Sequence, residues 1–326
     1  MIQSNLVDII QDTLERYLNQ AGIYYRIFGR RKTDESIKKK MYAKKTEYEQ
    51  NGKKMQDFIG IRIVFYFQDD VEIFHEKLKT LPGYDPSNES NTSNDIDRIS
   101  ELKEEIDRHD ILKPLAMFMP LHDKVFMPQR LNLVMKMSEM ISRDMVDEIS
   151  EDIFNDFGQF IDDTYEVQLR TVLSEGWHEV EHDLRYKTRD EEWWGNCKRE
   201  SRQLNGIYAS LEASENALSD MISNIAYKNY KSHAWDAMIR NHFCLRFNEN
   251  KLSRFFCEFL DDNPRLAKQL ILIERKDMIN WLWQLKSRFA LTTDLVFCLA
   301  NRKIIRDNII AENEPAPIKL ILDASS

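Results

Sequence analysis

Apolar residues recur at three- and four-residue spacing over residues 6–20 (Leu6, Ile9, Ile10, Leu14, Tyr17, Leu18), which predicts an amphipathic helix. Ile23–Phe28 is β-branched and aromatic and reads as a short strand. Ser36–Gln50 is rich in lysine and reads as a basic helix, with Asp34 or Ser36 as its N-cap. Asp57–Phe67 carries the clearest alternation in the chain. Ile59, Ile61, Ile63, Phe65 and Phe67 share one face; Phe58, Arg62, Val64 and Tyr66 share the other. Apolar side chains on both faces predict a central strand covered on both sides. Val71–Leu81 reads as a helix, the turn-rich Pro82–Asp95 as a mobile loop, and Ile96–Arg108 as a charged helix. Leu131–Met135 and Thr164–Leu169 read as two more strands. Beyond Arg170 the period turns helical through most of 171–310, with Arg199–Leu218 and Leu252–Leu260 as bundle-type stretches. The expected architecture is an α/β domain over 1–190 followed by an all-helical domain over 191–326.

Composition narrows the function classes. The 326 residues are 42% hydrophobic and 31% charged, ordinary for a soluble globular chain. A net charge of −9 argues against broad, non-specific nucleic-acid binding but allows a local basic pocket. Cys197, Cys244, Cys257 and Cys298 are widely spaced, with no C-x-x-C pair, and read as free thiols of a reducing compartment. The N-terminus lacks the basic flank and apolar core of a signal peptide, and no apolar run approaches the roughly 18 residues of a membrane span. A cytoplasmic protein without membrane association is expected.

Two segments concentrate the chemistry. In the first, Arg30, Lys32 and Lys40 surround a predicted helix start, where unpaired backbone N–H groups favour an anion, and Ser36 adds a hydroxyl. That set suits a polyphosphate; the alternative is a solvated basic helix face. Asp57 and Arg62, at and within the following strand, weigh against the alternative, because charge on a strand is costly without a partner. In the second segment, alternation puts Glu166, Gln168 and Arg170 on one face. Asp57 and Glu166, from separate strands, have the oxygen chemistry to share a Mg²⁺ with phosphate oxygens. The other reading makes them salt-bridge partners of Arg62 and Arg170.

These residues, Arg30-x-Lys32-x-x-x-Ser36-Ile37-x-x-Lys40, Asp57-x-x-Gly60-Ile61-Arg62, Glu166-x-Gln168-x-Arg170-Thr171 and Glu181-His182-x-x-x-Tyr186-Lys187, resemble the synthetase domain of the RelA/SpoT family in kind, order and distance. The resemblance spans roughly residues 20–190. It implies a nucleotidyltransferase-like mixed β-sheet flanked by helices. It also implies transfer of the β,γ-pyrophosphate of ATP to the ribose 3′-hydroxyl of GDP or GTP, giving (p)ppGpp. Arg30, Lys32 and Lys40 would then contact the ATP phosphates, supported by Ser36. Asp57 would ligate Mg²⁺, and Glu166 would bind metal or activate the hydroxyl. Arg62 and Arg170 would steady the sheet face or the phosphates, and His182 and Lys187 would lie on the acceptor side. No room precedes residue 20 for a hydrolase domain, so product synthesis without degradation is expected.

The sequence departs from that family between the two segments. The aromatic Gly-Tyr-x-Ser-x-His loop that stacks on guanine is missing, and Phe118–Val134 stands in its place. Phe118, His122 or Phe126 could stack on a base, and Arg130 or Asn132 could touch the acceptor; loop packing is the alternative. Three rival readings follow: another acceptor such as an RNA end, a weakened synthetase fold serving as nucleotide sensor, and a zinc peptidase. The last rests on His178-Glu179-Val180-Glu181-His182, which has H-E-x-x-H spacing but lacks a convincing third ligand. Without zinc, Leu173, Trp177, Val180 and Leu184 would form the buried stripe of that helix. The C-terminal helices, with Trp281, Trp283, Phe289 and Phe297, read as an ordinary core or as a regulatory, dimerising module.

Overall fold

The computed structural model describes residues 5–50, 52, 54–91, 131–139, 141–142, 148–181 and 198–325. They form two compact units: Met1–Gln11 with Arg26–Glu215, and Asp12–Tyr25 with Asn216–Ser326. The predicted charged helix over 96–108 and the segment Phe118–Arg130 lie outside the described residues.

In chain order the first elements are α1 (Leu6–Ala21), β1 (Tyr25–Arg31), α2 (Asp34–Ala43), α3 (Lys45–Gln50), β2 (Ile59–Phe65), α4 (Gln68–Lys79), β3 (Tyr84–Asn91) and β4 (Leu131–Lys136). They are followed by α5 (Glu151–Phe157), β5 (Thr164–Thr171) and α6 (Val172–Glu181). The five strands make one mixed sheet in the order β1-β2-β5-β4-β3. β2 and β5 run parallel, from Ile59 beside Tyr165 to Phe65 beside Thr171. β4 is antiparallel to β5, and β3 to β4.

The pattern of β2 explains its place. Ile59, Ile61, Ile63 and Phe65 are fully buried, and Val64 on the opposite face is nearly so. Phe74 of α4 packs on Phe65 with ring centroids 5.7 Å apart. Toward its start the second face turns polar, and the register sets Gly60 beside Glu166 and Arg62 beside Gln168. The first turns of α1 bury Leu6, Val7 and Ile10. They pass so close to β1 that a Cβ on Gly29 would lie 2.3 Å from Val7 Cγ1. Glycine is therefore required next to Arg30.

Three expectations are corrected. The first strand starts two and ends three residues later than predicted, so Arg30 sits on β1. The basic helix breaks into α2 and α3, and Thr33 is its N-cap, accepting from the Ser36 amide at 3.3 Å. The predicted loop over 82–95 contains an edge strand, β3. Its register slips between Tyr84 and Glu89, which accommodates Pro86, a residue tolerated at sheet edges and bulges. Asp85 closes the irregularity by accepting from the Ser87 amide at 2.9 Å.

The second unit is helical, as the 3.6-residue period predicts. Its helices include α8 (Trp235–Phe243), α9 (Arg254–Asp262), α10 (Pro264–Ile271), α11 (Arg275–Gln284), α12 (Thr293–Ala300), α13 (Asn308–Glu312) and α14 (Ala316–Asp323); α7 (Lys198–Lys231) precedes them. α12 is buried along its whole length and forms the centre, with Phe297 packed 5.0 Å from Phe256 of α9. Cys244, Cys257 and Cys298 are free thiols. No helix among the described residues is long and apolar enough to cross a membrane.

One ion pair in this unit is buried on its acidic side. The Glu314 side chain is 1% exposed and accepts from Arg302 Nε at 2.8 Å, with Arg302 Nη2 on its second oxygen. Removing one partner of such a pair leaves a stranded charge, whereas removing both does not. Arg302→Met is expected to cost about 3 kcal/mol in urea unfolding, and Arg302→Met/Glu314→Leu to recover most of it. Equal losses in the two proteins would contradict a charge-based cause.

Candidate active site

Asp57 lies just before β2 and reaches between two lysines from different elements. Lys32, directly after β1, donates to Oδ2 at 2.7 Å, and Lys40 of α2 donates to Oδ1 at 2.8 Å. The backbone fixes the encounter, because the Lys32 amide donates to the Phe58 carbonyl at 2.9 Å. α2 brings in Lys40 at the edge of the face that buries Ile37 and Met41. Burial alone would raise the Asp57 pKa, but the two lysine hydrogen bonds and charges outweigh it and hold the carboxyl below its ordinary value.

A cleft of about 390 Å³ opens beside this triad. Arg30, Lys32, Arg62, Asp57 and Glu166 line it, together with Phe28, Phe58, Gln168, Glu175 and Glu179. Arg30 is exposed and makes no hydrogen bond or ion pair among the described residues. Gly60 keeps the cleft floor low beside it: a Cβ there would lie 3.9 Å from the Arg30 side chain. Arg62 is the opposite case. Its Nε donates to Gln168 Oε1 at 3.1 Å, and its Nη1 to Glu175 at 2.5 Å and to Glu179. Burial would lower the Arg62 pKa, but the two glutamates outweigh it and raise the value, so the guanidinium stays charged. Gln168 also donates to Glu166 Oε2 at 2.9 Å, fixing that carboxylate against the sheet.

The structure thus gathers Arg30, Lys32, Asp57, Arg62 and Glu166 in one cleft, with Lys40 bound to Asp57. It separates the remaining candidates. Ser36 is engaged in the α2 cap, where the Thr33 hydroxyl donates to its Oγ at 2.9 Å. The α2 start is no open anion site, since Asp34 and Glu35 occupy its first turn and Asp34 pairs with Arg31 at 2.7 Å. Arg170 is buried and donates to the Leu131 and Leu169 carbonyls and to Asn132 Oδ1 at 2.8 Å, stapling β4 to β5. His182 and Lys187 lie outside the described residues. Among the described residues, no group of three or more His, Cys, Asp and Glu is arranged for a metal. His178 is buried, with its ring beside Trp177 and Tyr208. Trp177 of the expected stripe is buried, but Val180 is 46% exposed, because Ser174 and His178 join Trp177 on the inward face.

Sequence reasoning missed Glu175 and Glu179 as partners of Arg62. Two carboxylates one turn apart on the helix leaving β5 are visible in the sequence, but nothing local ties them to an arginine on a strand more than a hundred residues earlier. Arg62 therefore pairs with these two glutamates and not with Asp57 or Glu166, as the alternative salt-bridge reading had it.

Because the Asp57 pKa is lower folded than unfolded, its ion pairs contribute full stability above the unfolded value of about 4. The contribution is lost as pH falls through the folded value. The stability difference between the wild type and Asp57→Asn should therefore shrink below about pH 4 in urea titrations. A pH-independent difference would contradict the linkage.

Residues 29–108 match a family model described as a region found in RelA / SpoT proteins. No curated protein matches the chain. Among solved structures, the chain is similar to smu.1046c from Streptococcus mutans UA159, at 20% identity and TM-score 0.41, over 67% of this chain and 90% of that one. It is also similar to the small alarmone synthetase 1 from Bacillus subtilis bound to its product pppGpp, at 17% identity and TM-score 0.42, over 68% and 92%. A GTP pyrophosphokinase family protein from Streptococcus pneumoniae follows at 18% identity and TM-score 0.39, over 66% and 85%. The segment that matches this family model, residues 29–108, holds Arg30, Lys32, Lys40, Asp57 and Arg62.

Proposed function

We propose that this chain is a pyrophosphokinase that transfers the β,γ-pyrophosphate of ATP to the ribose 3′-hydroxyl of GDP or GTP. The observation that carries the reading is Asp57 held between Lys32 and Lys40 beside a cleft that Arg30, Lys32, Asp57, Arg62 and Glu166 line, all but Glu166 within the segment that matches the RelA/SpoT model.

In this reading the 3′-oxygen forms a bond to the β-phosphorus, the bond from that phosphorus to the α,β-bridging oxygen breaks, and AMP departs. Such a transfer is governed by positioning and charge neutralisation. Arg30, which has no partner among the described residues to give up, binds the triphosphate. Lys32 and Lys40 turn from Asp57 to phosphate oxygens, so the arriving anion takes over a role that Asp57 fills beforehand. Glu166, oriented by Gln168, accepts the hydroxyl proton. Arg62 stays charged between its glutamates and keeps the cleft wall rigid, and Arg170 holds β4 in register.

Asp57 and Glu166 are oxygen donors on the same cleft and fit Mg²⁺, which needs one or two protein carboxylates when phosphates complete its shell. Bound there, the ion would neutralise charge on the transferred phosphates. Ser36 supports the lysines through the α2 cap, and His182 and Lys187 are assigned to the acceptor side. All these residues fall within 1–190, the proposed synthetase domain, with 191–326 as a helical module.

γ-Labelled ATP with Mg²⁺, offered GDP, GTP, other nucleotides and tRNA, tests the proposal. Label should pass to a guanine nucleotide, and Asp57→Asn should lower transfer at least ~100-fold. Label reaching only RNA or another nucleotide would overturn the acceptor, and no transfer at all would overturn the enzyme. Arg30→Ala separates catalysis from folding. It should lose a similar factor in turnover while stability in urea changes by less than about 0.5 kcal/mol. Wild-type turnover in that variant would remove Arg30 from the phosphate site.

A further inference from the structure

The helical unit holds a second cavity, about 750 Å³ in volume, within the range of sites for small organic ligands. Its walls come from the second half of α1, from the segment after α8 and from the loop between α11 and α12. Arg16, Arg246, Lys286 and Arg288 line it, and among the described residues no carboxylate does. Acidic residues outnumber basic ones 55 to 46 in this chain, so such a lining runs against its overall charge. Four like charges around one concavity repel each other, and an anion between them relieves the repulsion.

Two of the four have nothing else to do. Among the described residues, the Lys286 and Arg288 side chains make no hydrogen bond or ion pair. Arg16 touches the Thr13 hydroxyl at 3.1 Å. Arg246 lies over the Tyr25 ring at 5.6 Å and donates to Asn19. Glu15, whose charge bears on Tyr25, is not part of the lining.

The walls are also fastened together in advance. Gln20 Nε2 donates to the Leu282 and Leu285 carbonyls at 3.1 and 2.8 Å, and Trp283 Nε1 donates to the Tyr17 carbonyl at 2.9 Å. The Arg246 amide donates to the Gly22 carbonyl at 2.7 Å. Asn248 and Leu291 exchange two bonds, both 2.8 Å. Gly22, at φ +66, leaves no room for a Cβ, which would lie 2.2 Å from Leu291 Cδ2. A cavity held this way has little ordering cost left on binding.

The geometry points to a nucleoside polyphosphate as the occupant, with its phosphates against Lys286, Arg288 and Arg16 and its base against Phe289, a half-buried ring in the lining. No residue of this cavity lines the first cleft, so the inference stands independently of the transfer reaction.

Calorimetric titration of the full chain tests it, with ATP, GTP and inorganic triphosphate as probes. Arg30→Glu forms the background, so that binding in the first cleft is suppressed. ATP or GTP should still bind there and bind more tightly than triphosphate. Adding Lys286→Glu/Arg288→Glu should weaken binding at least about tenfold with the thermal midpoint retained, since neither side chain has a partner to lose among the described residues. Phe289→Ala should weaken the nucleotides and leave triphosphate unchanged. Unaltered affinity after the charge reversal overturns the site. Equal affinity for ATP and triphosphate, with Phe289→Ala silent, overturns the nucleoside assignment. An RNA oligomer that displaces both probes at equal phosphate concentration overturns it in favour of a nucleic-acid surface.

Discussion

A carboxylate gripped by two ammonium groups is the contact on which the candidate site depends. Asp57, Lys32 and Lys40 come from the entry to β2, the exit of β1 and the last turn of α2, and each is partly withdrawn from water. Withdrawal is tolerable because the charges meet at hydrogen-bond distance. Once they meet, β1 and α2 are fixed against β2, and Arg30 and Arg62 can only project into the same cleft. Removing the carboxylate would leave two ammonium groups facing each other beside a third cation, which is the repulsion a polyphosphate also cancels.

The cleft therefore holds two kinds of positive charge. Arg62 is committed, pinned by Gln168, Glu175 and Glu179, and serves as scaffold. Arg30 is free among the described residues, and Lys32 and Lys40 share one carboxylate, so all three are available to an incoming anion. Preorganised charge of the available kind stabilises phosphoryl transfer, while the committed kind keeps the geometry from relaxing.

Part of the candidate site is legible in the sequence, where a basic cluster around a helix start, strand alternation at Arg62 and Glu166, and the spacing of a known family single out its residues. Arg30, Lys32, Asp57, Arg62 and Glu166 were chosen on those grounds and share a cleft. Ser36 and Arg170 were chosen on the same grounds and have other tasks, since spacing cannot distinguish a cap or a sheet staple from a ligand contact. Glu175 and Glu179 were missed because their partner lies on a strand more than a hundred residues earlier, and no local pattern records that pairing. The fold shows the same division. The helices and the alternating β2, β4 and β5 follow from local periodicity, whereas β3, polar and interrupted by Pro86, becomes a strand only by pairing with β4.

The most direct test is the identity of the nucleotide left when ATP is consumed in the presence of GDP and Mg²⁺, read by chromatography with phosphorus NMR. Pyrophosphate transfer yields AMP in equal amount to a guanosine carrying a 3′-diphosphate. ADP with inorganic phosphate, or with a singly phosphorylated acceptor, would contradict the account at its centre.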